Sequence, residues 1–270
     1  MGQTTTAFRI GAVRYLNAWP LTYRLHQFLP EAQVVFDLPS RLADALAAGR
    51  LDVAMIPSVE CLRIAGARIV SDACIAAAGP VKSVKLYGRR PIQKVQTLAL
   101  DEGSRTSAAL VRILLKERWA ISPRWERLPI GAAPEETTAD AVLVVGDRGL
   151  LPPEGQWEFI WDLGEEWVQW TGLPLVFATW VARPGPQLGH LAGPLAAARD
   201  AGLRCLEEIA ASAALVVGVP YDQCLAYLRD HLVYRLGPQE RRGMDRFADL
   251  VIQNGLAPAE ARFVFDNGHP

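Results

Sequence analysis

The chain has 270 residues, of which 50% are hydrophobic and 21% are charged, and its formal net charge is −1. This length is sufficient for two lobes with a large core, and the composition excludes an intrinsically disordered protein. A net charge near zero gives no electrostatic reason to expect binding to nucleic acid or to an anionic membrane surface.

Motifs for metal binding, redox chemistry and export are missing from the sequence. The four cysteines show no CxxC spacing, and the four histidines form no HExxH pattern, so we expect reduced cysteines and neither a metal ion nor an organic cofactor. The first ten residues lack a basic region followed by an apolar stretch, and residues 168–182 are too short and too interrupted to span a bilayer. We therefore expect a soluble cytoplasmic protein without a signal peptide.

The first sixty residues predict an alternation of strands and helices. Strands are predicted at 8–13, 33–37 and 51–56, and helices at 20–28, at 41–48 and from Ser58 onward. Short loops between such elements favour a parallel sheet with helices on both faces, in which ligands bind at the carboxyl ends of the strands. Asn17 and Ser58 both lie at those ends. An Asn just before a helix is also a common capping residue, so this position has two interpretations.

A polar strand precedes the first predicted boundary. Residues 67–78 are mostly apolar, and residues 81–87, which include Ser83, alternate between apolar and polar as a half-exposed strand does. Gly88-Arg89-Arg90-Pro91 then breaks the pattern. We place a boundary between two lobes there.

The stretch around residues 97–115 predicts a strand, a tight turn and an amphipathic helix that begins at Ser104. Ser104, Arg105, Thr106 and Ser107 lie at the helix start, where unpaired backbone N–H groups and the positive end of the helix dipole are found. Three hydroxyls and a guanidinium at that place predict a seat for a carboxylate or a phosphate. The alternative is an ordinary capped helix with a solvated Arg.

The rest of the chain predicts further strands at 125–128, 141–145, 159–163 and 175–181, a short helix at 165–170, and three helices up to about residue 257. Gly146 and Asp147 follow the second of these strands, where Asp147 is either a turn cap or a functional acid. The stretches 51–58 and 139–147 share a pattern of acid, apolar strand and breaker.

These patterns together predict an α/β protein with two lobes and a ligand cleft between them. The first lobe is predicted to contain residues 1–88 and 183–270, and the second residues 89–182. The chain would cross between the lobes near 83–90 and 176–183. Such a clamp closes on a small ligand by a hinge motion.

Six stretches carry a resemblance to a known family. They are IGAVRYLNAWPL, DVAMIPSVE, VKSVKLYGRRP, LALDEGSRTSAAL, DAVLVVGDRGL and DLGEEWVQWTGLPLVFATW. In order and spacing they resemble the chorismate dehydratases of the futalosine route to menaquinone, over most of residues 9–182. The resemblance implies a type II periplasmic-binding-protein-like fold used as a cytoplasmic hydro-lyase, without metal or organic cofactor, which converts chorismate to 3-[(1-carboxyvinyl)oxy]benzoate. Two alternatives are a 1,4-dihydroxy-6-naphthoate synthase-like enzyme of the same pathway and a non-catalytic binding protein for a small carboxylate.

The chemistry implied by the resemblance needs groups that bind anions and orient a hydroxyl. We expect Asn17 and Ser83 to act in catalysis by orienting and polarising the ring substituents. The substrate-binding residues are expected to be Ser58, Ser104, Arg105, Thr106, Ser107, Gly146 and Asp147. The base is either Asp147 or the substrate's own enolpyruvyl carboxylate, and we favour the latter. The expected partner is a small carboxylate substrate, with no nucleic acid and no membrane, and the oligomeric state is left open.

Overall fold

A computed structural model describes residues 8–185 and 188–266 of the chain. The residues before position 8, which carried the expectation about a signal peptide, lie outside the described part. Eleven strands are formed within it: β1 (Arg9–Val13), β2 (Gln33–Asp37), β3 (Val53–Pro57), β4 (Arg68–Ala77), β5 (Val84–Gly88), β6 (Thr97–Asp101), β7 (Arg124–Leu128), β8 (Ala141–Val145), β9 (Phe159–Asp162), β10 (Leu175–Ala182) and β11 (Val233–Arg235).

The same residues form ten α-helices: α1 (Trp19–Thr22), α2 (Leu25–Phe28), α3 (Pro39–Ala47), α4 (Ser58–Cys61), α5 (Arg105–Trp119), α6 (Leu163–Thr171), α7 (Ala192–Leu203), α8 (Leu206–Val217), α9 (Tyr221–Asp230) and α10 (Pro238–Gln253). No helix in the described part of the chain combines the length and the apolar character that crossing a membrane requires.

Two mixed sheets organise the molecule. The first has the strand order β11-β4-β10-β3-β1-β2, and the second has the order β7-β6-β8-β5-β9. In the first sheet β1 is parallel to β2 and β3, whereas β10 is antiparallel to β3 and β4. In the second sheet β6 is parallel to β7 and β8, and β5 runs antiparallel to β8 and β9. We call the first sheet with its helices the first lobe, and the second sheet with its helices the second lobe.

The buried strands explain why these sheets form. Every residue of β3 and of β8 is buried, and their sequences, VAMIP and AVLVV, are continuous apolar runs. Such runs are typical of strands that are covered on both faces. The predicted α/β architecture with two lobes is confirmed.

The strand pairing corrects the predicted division of the chain. Strand β5 pairs with β8 and β9 in the second lobe, although it was predicted to close the first. Strand β10 pairs with β3 and β4 in the first lobe, although it was predicted to close the second. The chain therefore crosses within residues 78–83 and 172–174. The local alternation of a strand identifies the strand but not its partner, so each boundary was placed one strand too late. The hinge itself stays a prediction.

Two helical predictions were wrong in detail. The stretch 20–28 forms the two short helices α1 and α2, with Arg24 at φ −122° between them. The C-terminal region forms four helices and a strand, because α7 ends at Leu203 and α8 begins at Leu206. Near this break, a Cβ atom on Gly202 would collide with the carbonyl oxygen of Pro20, so α7 and α1 approach as closely as backbone permits. A contact between residues so far apart has no local signal in the sequence.

Candidate functional site

A cavity lies between the two sheets, where strand ends of both lobes meet. The cavity is lined by Val13, Tyr15, Asn17, Pro39, Pro57, Ile75, Val81, Ser83, Val84, Ser104, Ser107, Val145, Gly146, Phe177 and Ala178. Of the predicted site residues, the structure brings five together here: Asn17, Ser83, Ser104, Ser107 and Gly146.

Asn17 and Ser83 share a partner that the sequence analysis did not identify. The hydroxyl of Tyr227, on α9, donates a hydrogen bond to Oγ of Ser83 at 2.8 Å. The Asn17 side chain lies close enough to Tyr227 to influence its pKa, and the Oδ1 atom of Asn17 is buried without a partner among the described residues. Burial raises the pKa of Tyr227, although its contacts with the side chains of Ser83 and Asn17 oppose the shift. Tyr227 is therefore a neutral phenol.

The loop that carries Ser83 is held by a carboxylate of the second lobe. Asp162 Oδ1 accepts from the backbone N–H of Val81 at 2.9 Å, and its Oδ2 accepts from that of Lys82 at 2.6 Å. Lys82 has φ +64°, and the N–H of Ser83 donates to the carbonyl of Val81 at 2.8 Å. A three-residue turn whose central φ is positive is rare and strained, and such strain persists only where the surroundings enforce it. Gly149 packs against the Ser83 backbone, since a Cβ there would lie 2.6 Å from the Ser83 carbonyl oxygen.

Tyr15 forms part of the cavity wall and spans the two lobes. A Cβ atom on Gly103 would lie 2.7 Å from the Tyr15 hydroxyl oxygen, so the tyrosine approaches the turn after β6 as closely as glycine permits. Burial, with a contribution from the negative charge of Asp101, raises the pKa of Tyr15 to about 12. Its hydroxyl is therefore protonated at neutral pH.

Only some of the residues predicted to bind an anion at the start of α5 face the cavity, namely Ser104 and Ser107. Ser104 caps the helix, and its Oγ lies 3.0 Å from Oγ of Ser107. Thr106 is fully buried and turned away, where its Oγ1 donates to the Phe177 carbonyl at 3.0 Å. Arg105 is also turned away. A helix of 15 residues still directs its N-terminal N–H groups and its dipole at the cavity, so an anion can bind there.

Arg105 is paired with acids of the first lobe instead of lining the site. Its guanidinium contacts Asp44 at 2.8 Å and Glu60 at 3.1 Å. The side chain is still about 34% exposed, and the carboxylates that hold it come from α3 and α4, far away in sequence. These ion pairs, together with the bond from the N–H of Ser40 to the Gly103 carbonyl at 3.3 Å, join the lobes, and the cleft is closed in this structure.

Ser58 and Asp147 also lie beside the cavity without lining it. Ser58 is fully buried, and its hydroxyl donates to the Val176 carbonyl at 2.7 Å, so it links α4 to β10. Asp147 Oδ1 accepts from the backbone N–H of Leu16 at 2.9 Å and thereby joins the second lobe to the first. Burial raises the pKa of Asp147 to about 6. Asp147 lines a separate depression, together with Arg14 and Arg148.

Solved structures of similar shape define the fold. The alkanesulfonate-binding protein SsuA from Xanthomonas axonopodis pv. citri has a TM-score of 0.64 at 16% identity, covering 95% of this chain and 96% of its own. The periplasmic aliphatic sulphonate binding protein SsuA from Escherichia coli has a TM-score of 0.63 at 17% identity, covering 96% of both chains. The fold is thus that of the periplasmic binding proteins, with a cleft between two lobes.

Sequence comparison identifies the family. The model of a menaquinone biosynthesis family matches residues 8–253, and this chain belongs to that family. A chorismate dehydratase from Thermus thermophilus is 32% identical over 261 residues, which covers 90% of this chain and 94% of the relative. The resemblance that the sequence analysis drew from six stretches is confirmed.

Proposed function

We propose that the protein is a chorismate dehydratase of menaquinone biosynthesis, a carbon–oxygen lyase that removes water from chorismate to give 3-[(1-carboxyvinyl)oxy]benzoate. Membership of the family and the 32% identity to a dehydratase of that name support the proposal. The cavity supports it independently, because chorismate carries two carboxylates and a hydroxyl. The start of α5, with Ser104 and Ser107, is suited to one carboxylate, and Asn17 and Ser83 are suited to the hydroxyl.

The observation that carries the mechanism is the composition of the cavity wall. Among the described residues that line the cavity, Tyr15 alone has a side chain that titrates, and its pKa of about 12 makes it a poor base at neutral pH. Asp147, the acid that the sequence offered as a base, accepts a backbone hydrogen bond outside the lining. The base is then supplied by the substrate, whose enolpyruvyl carboxylate is held near the ring.

The elimination proceeds in two steps. The enolpyruvyl carboxylate removes the proton from the ring carbon that bears the ether oxygen. The C–H electron pair delocalises through the adjacent C=C bond onto the ring carboxylate and gives a dienolate. These electrons then form the new ring C=C bond as the neighbouring C–O bond breaks, and hydroxide leaves with its electron pair. The protonated side-chain carboxyl returns its proton to that hydroxide, which gives water, and the ring becomes aromatic.

The protein's contribution is to fix donors where negative charge develops. The N–H groups and hydroxyls at the start of α5 suit the ring carboxylate, on which charge accumulates in the dienolate. Ser83 and Asn17 suit the departing oxygen. Each group is held in place before substrate arrives, since Asp162 holds the Ser83 loop and Ser104 caps α5.

Ultraviolet absorbance of chorismate mixed with the pure protein tests the function. A dehydratase replaces the cyclohexadiene spectrum with that of an aromatic product, identified by mass spectrometry. A protein that binds chorismate and leaves the spectrum unchanged would instead be a non-catalytic binding protein.

Three variants test the mechanism in the same assay. We expect Asn17→Ala and Ser83→Ala each to lower kcat by roughly 10²–10³-fold, the typical cost of losing one preorganised donor. Asp147→Asn should cost far less, because it is isosteric and removes no group from the cavity wall. A loss concentrated in Asp147→Asn would contradict substrate-assisted proton removal, since removing a general base typically costs about 10²–10⁴-fold.

A further inference from the structure

We infer that Tyr227 is a positioning residue that sets the direction of hydrogen bonding at Asn17 and Ser83. It leaves Ser83 as a donor and Asn17 Oδ1 as an acceptor for the hydroxyl that chorismate loses. This inference rests on the proposed function and assigns a role to the C-terminal helix α9, which none of the six family-like stretches includes.

The order of donors follows from the chemistry of the three side chains. Oδ1 of Asn17 has no partner among the described residues, so the Asn17 side chain faces Tyr227 through Nδ2, which donates and does not accept. The single proton of the phenol is directed to Oγ of Ser83 at 2.8 Å. Ser83 therefore accepts from Tyr227, and its own proton is free to turn toward the cavity that Ser83 lines.

The Ser83 hydroxyl proton and Oδ1 of Asn17 together suit a hydroxyl group of the ligand. Oδ1 of Asn17 is buried without a partner in the described part of the protein, and leaving a buried acceptor unpaired is unfavourable. A hydroxyl that donates to Oδ1 and accepts from Ser83 would satisfy both residues. A carboxylate would satisfy only Ser83, since it has no proton to give to Oδ1.

This direction of hydrogen bonding, with Ser83 as the donor, also assists departure of the hydroxyl. As the ring C–O bond breaks and its electron pair moves to oxygen, the Ser83 O–H stabilises the growing negative charge by donating a hydrogen bond. No proton leaves Ser83. Without the phenol of Tyr227, the Ser83 hydroxyl loses its donor and can rotate, and Nδ2 of Asn17 no longer faces a phenol oxygen, so neither group is held in the productive orientation.

Tyr227→Phe tests the role, and Tyr234→Phe is its matched control. Both tyrosines are buried, but the Tyr234 hydroxyl has no hydrogen-bond partner among the described residues. We expect Tyr227→Phe to lower kcat by about 10- to 100-fold, as is typical when a group that orients a site residue is lost, with KM changed little. Tyr234→Phe should keep a kcat close to that of the wild type. Equal kcat values for Tyr227→Phe and the wild type would overturn the inference.

Binding of the product separates positioning from a merely structural role. 3-[(1-Carboxyvinyl)oxy]benzoate has no ring hydroxyl, so Tyr227→Phe should bind it in calorimetry with the affinity of the wild type. A variant that loses product binding together with kcat would show a collapsed site and overturn the inference. If Tyr227→Phe does not fold, Tyr227→Met provides the same contrast, because Met also lacks the hydroxyl and adapts its shape to the space.

A double mutant then tests whether Tyr227 acts through Ser83. Residues that act as a unit show strongly non-additive effects. Tyr227→Phe should therefore cost clearly less kcat in a Ser83→Ala background than in the wild type, and an equal cost would overturn the inference. If the wild type leaves chorismate unchanged, the proposed function fails and the inference fails with it. If the wild type is active and Tyr227→Phe equals it, the inference alone fails.

Discussion

The ring of Tyr15 lies against Gly146, where a Cβ atom would come within 2.7 Å of the ring carbon Cε1. Gly146 has φ +77° and ψ −156°, a backbone region that is essentially restricted to glycine. Tyr15 follows β1 of the first lobe, and Gly146 follows β8 of the second. The closed cleft therefore depends on the Tyr15 side chain of the first lobe packing directly against the Gly146 backbone of the second.

Gly146→Ala should consequently impair closure more than folding. We expect kcat/KM to fall by at least tenfold, and the backbone strain to cost about 1–3 kcal/mol of unfolding free energy. Gly155→Ala is the control, because Gly155 has φ +89° but nothing within 4 Å of its would-be Cβ. It should lose stability and keep activity. Wild-type kcat/KM in Gly146→Ala would contradict the close contact.

Asp162 should be important for both stability and activity. Its Oδ1 caps α6 through the N–H groups of Gly164 and Glu165, at 3.0 and 3.2 Å, in addition to holding the Ser83 loop. Asp162→Ala should cost about 0.5–2 kcal/mol of unfolding free energy for the lost cap alone. It should also lower kcat, because the strained turn before Ser83 loses two hydrogen bonds.

Asp140→Ala is the control for Asp162→Ala. Asp140 Oδ2 likewise accepts from two backbone N–H groups, those of Gln96 and Thr97, at 2.9 and 3.1 Å, but it does not line the cavity. Its replacement should lower the melting temperature and leave kcat unchanged. If both variants lose kcat to the same degree, Asp162 has no special role at Ser83.

The sequence predicted the site where local chemistry is decisive. Ser104 and Ser107 were predicted because a capping residue indicates a helix start. Asn17 was predicted because it is a polar residue that follows an apolar strand. Tyr227 has no such signal. It lies 144 residues beyond Ser83, within an amphipathic helix where a tyrosine is typical of packing. Only the tertiary fold reveals that its hydroxyl meets a polar partner.

The same distinction explains the errors at Arg105 and at the lobe boundaries. Nothing adjacent to Arg105 in sequence predicts that Glu60 and Asp44 will hold its guanidinium, because they come from elements 45 and 61 residues away. Strand β10 was recognised as a strand, but its place between β3 and β4 depends on pairing with residues more than ninety positions earlier. Local pattern specifies elements, whereas long-range contacts specify neighbours.

Thr106 and Ser107 are neighbours with separable roles. Thr106→Val should lower the free energy of unfolding by about 1–3 kcal/mol, because it leaves the buried Phe177 carbonyl and Val59 N–H without their partner. Ser107→Ala removes a hydroxyl from the cavity wall and should lower kcat/KM by at least roughly tenfold, as expected for a lost hydrogen bond to a charged group. Thermal unfolding and steady-state kinetics of both variants check the contrast. Unchanged kinetics in a folded Ser107→Ala would remove Ser107 from the carboxylate seat.

The last prediction concerns pH and the carboxyl of Asp147. Burial raises its folded-state pKa to about 6 from the ordinary 3.8, so the folded protein binds this proton more tightly than the unfolded chain does. The group's contribution to stability is then full below about pH 4 and is lost as pH rises through about 6. Asn at this position stays neutral and can keep the bond from Leu16. Asp147→Asn should therefore gain in melting temperature relative to the wild type between pH 4.5 and 7.

Asp52 provides a control of opposite sign. Burial acts to raise its pKa, but hydrogen bonds from the side chain and backbone of Arg9 and from Arg183 outweigh burial and lower the pKa to about 2. Its stabilising contribution is present above about pH 4 and is lost as pH falls through about 2. Asp52→Asn should thus melt below the wild type throughout the range from pH 4.5 to 7, with a nearly constant difference. If the difference in melting temperature between Asp147→Asn and the wild type stayed constant across the same pH range, this would contradict a raised pKa at Asp147.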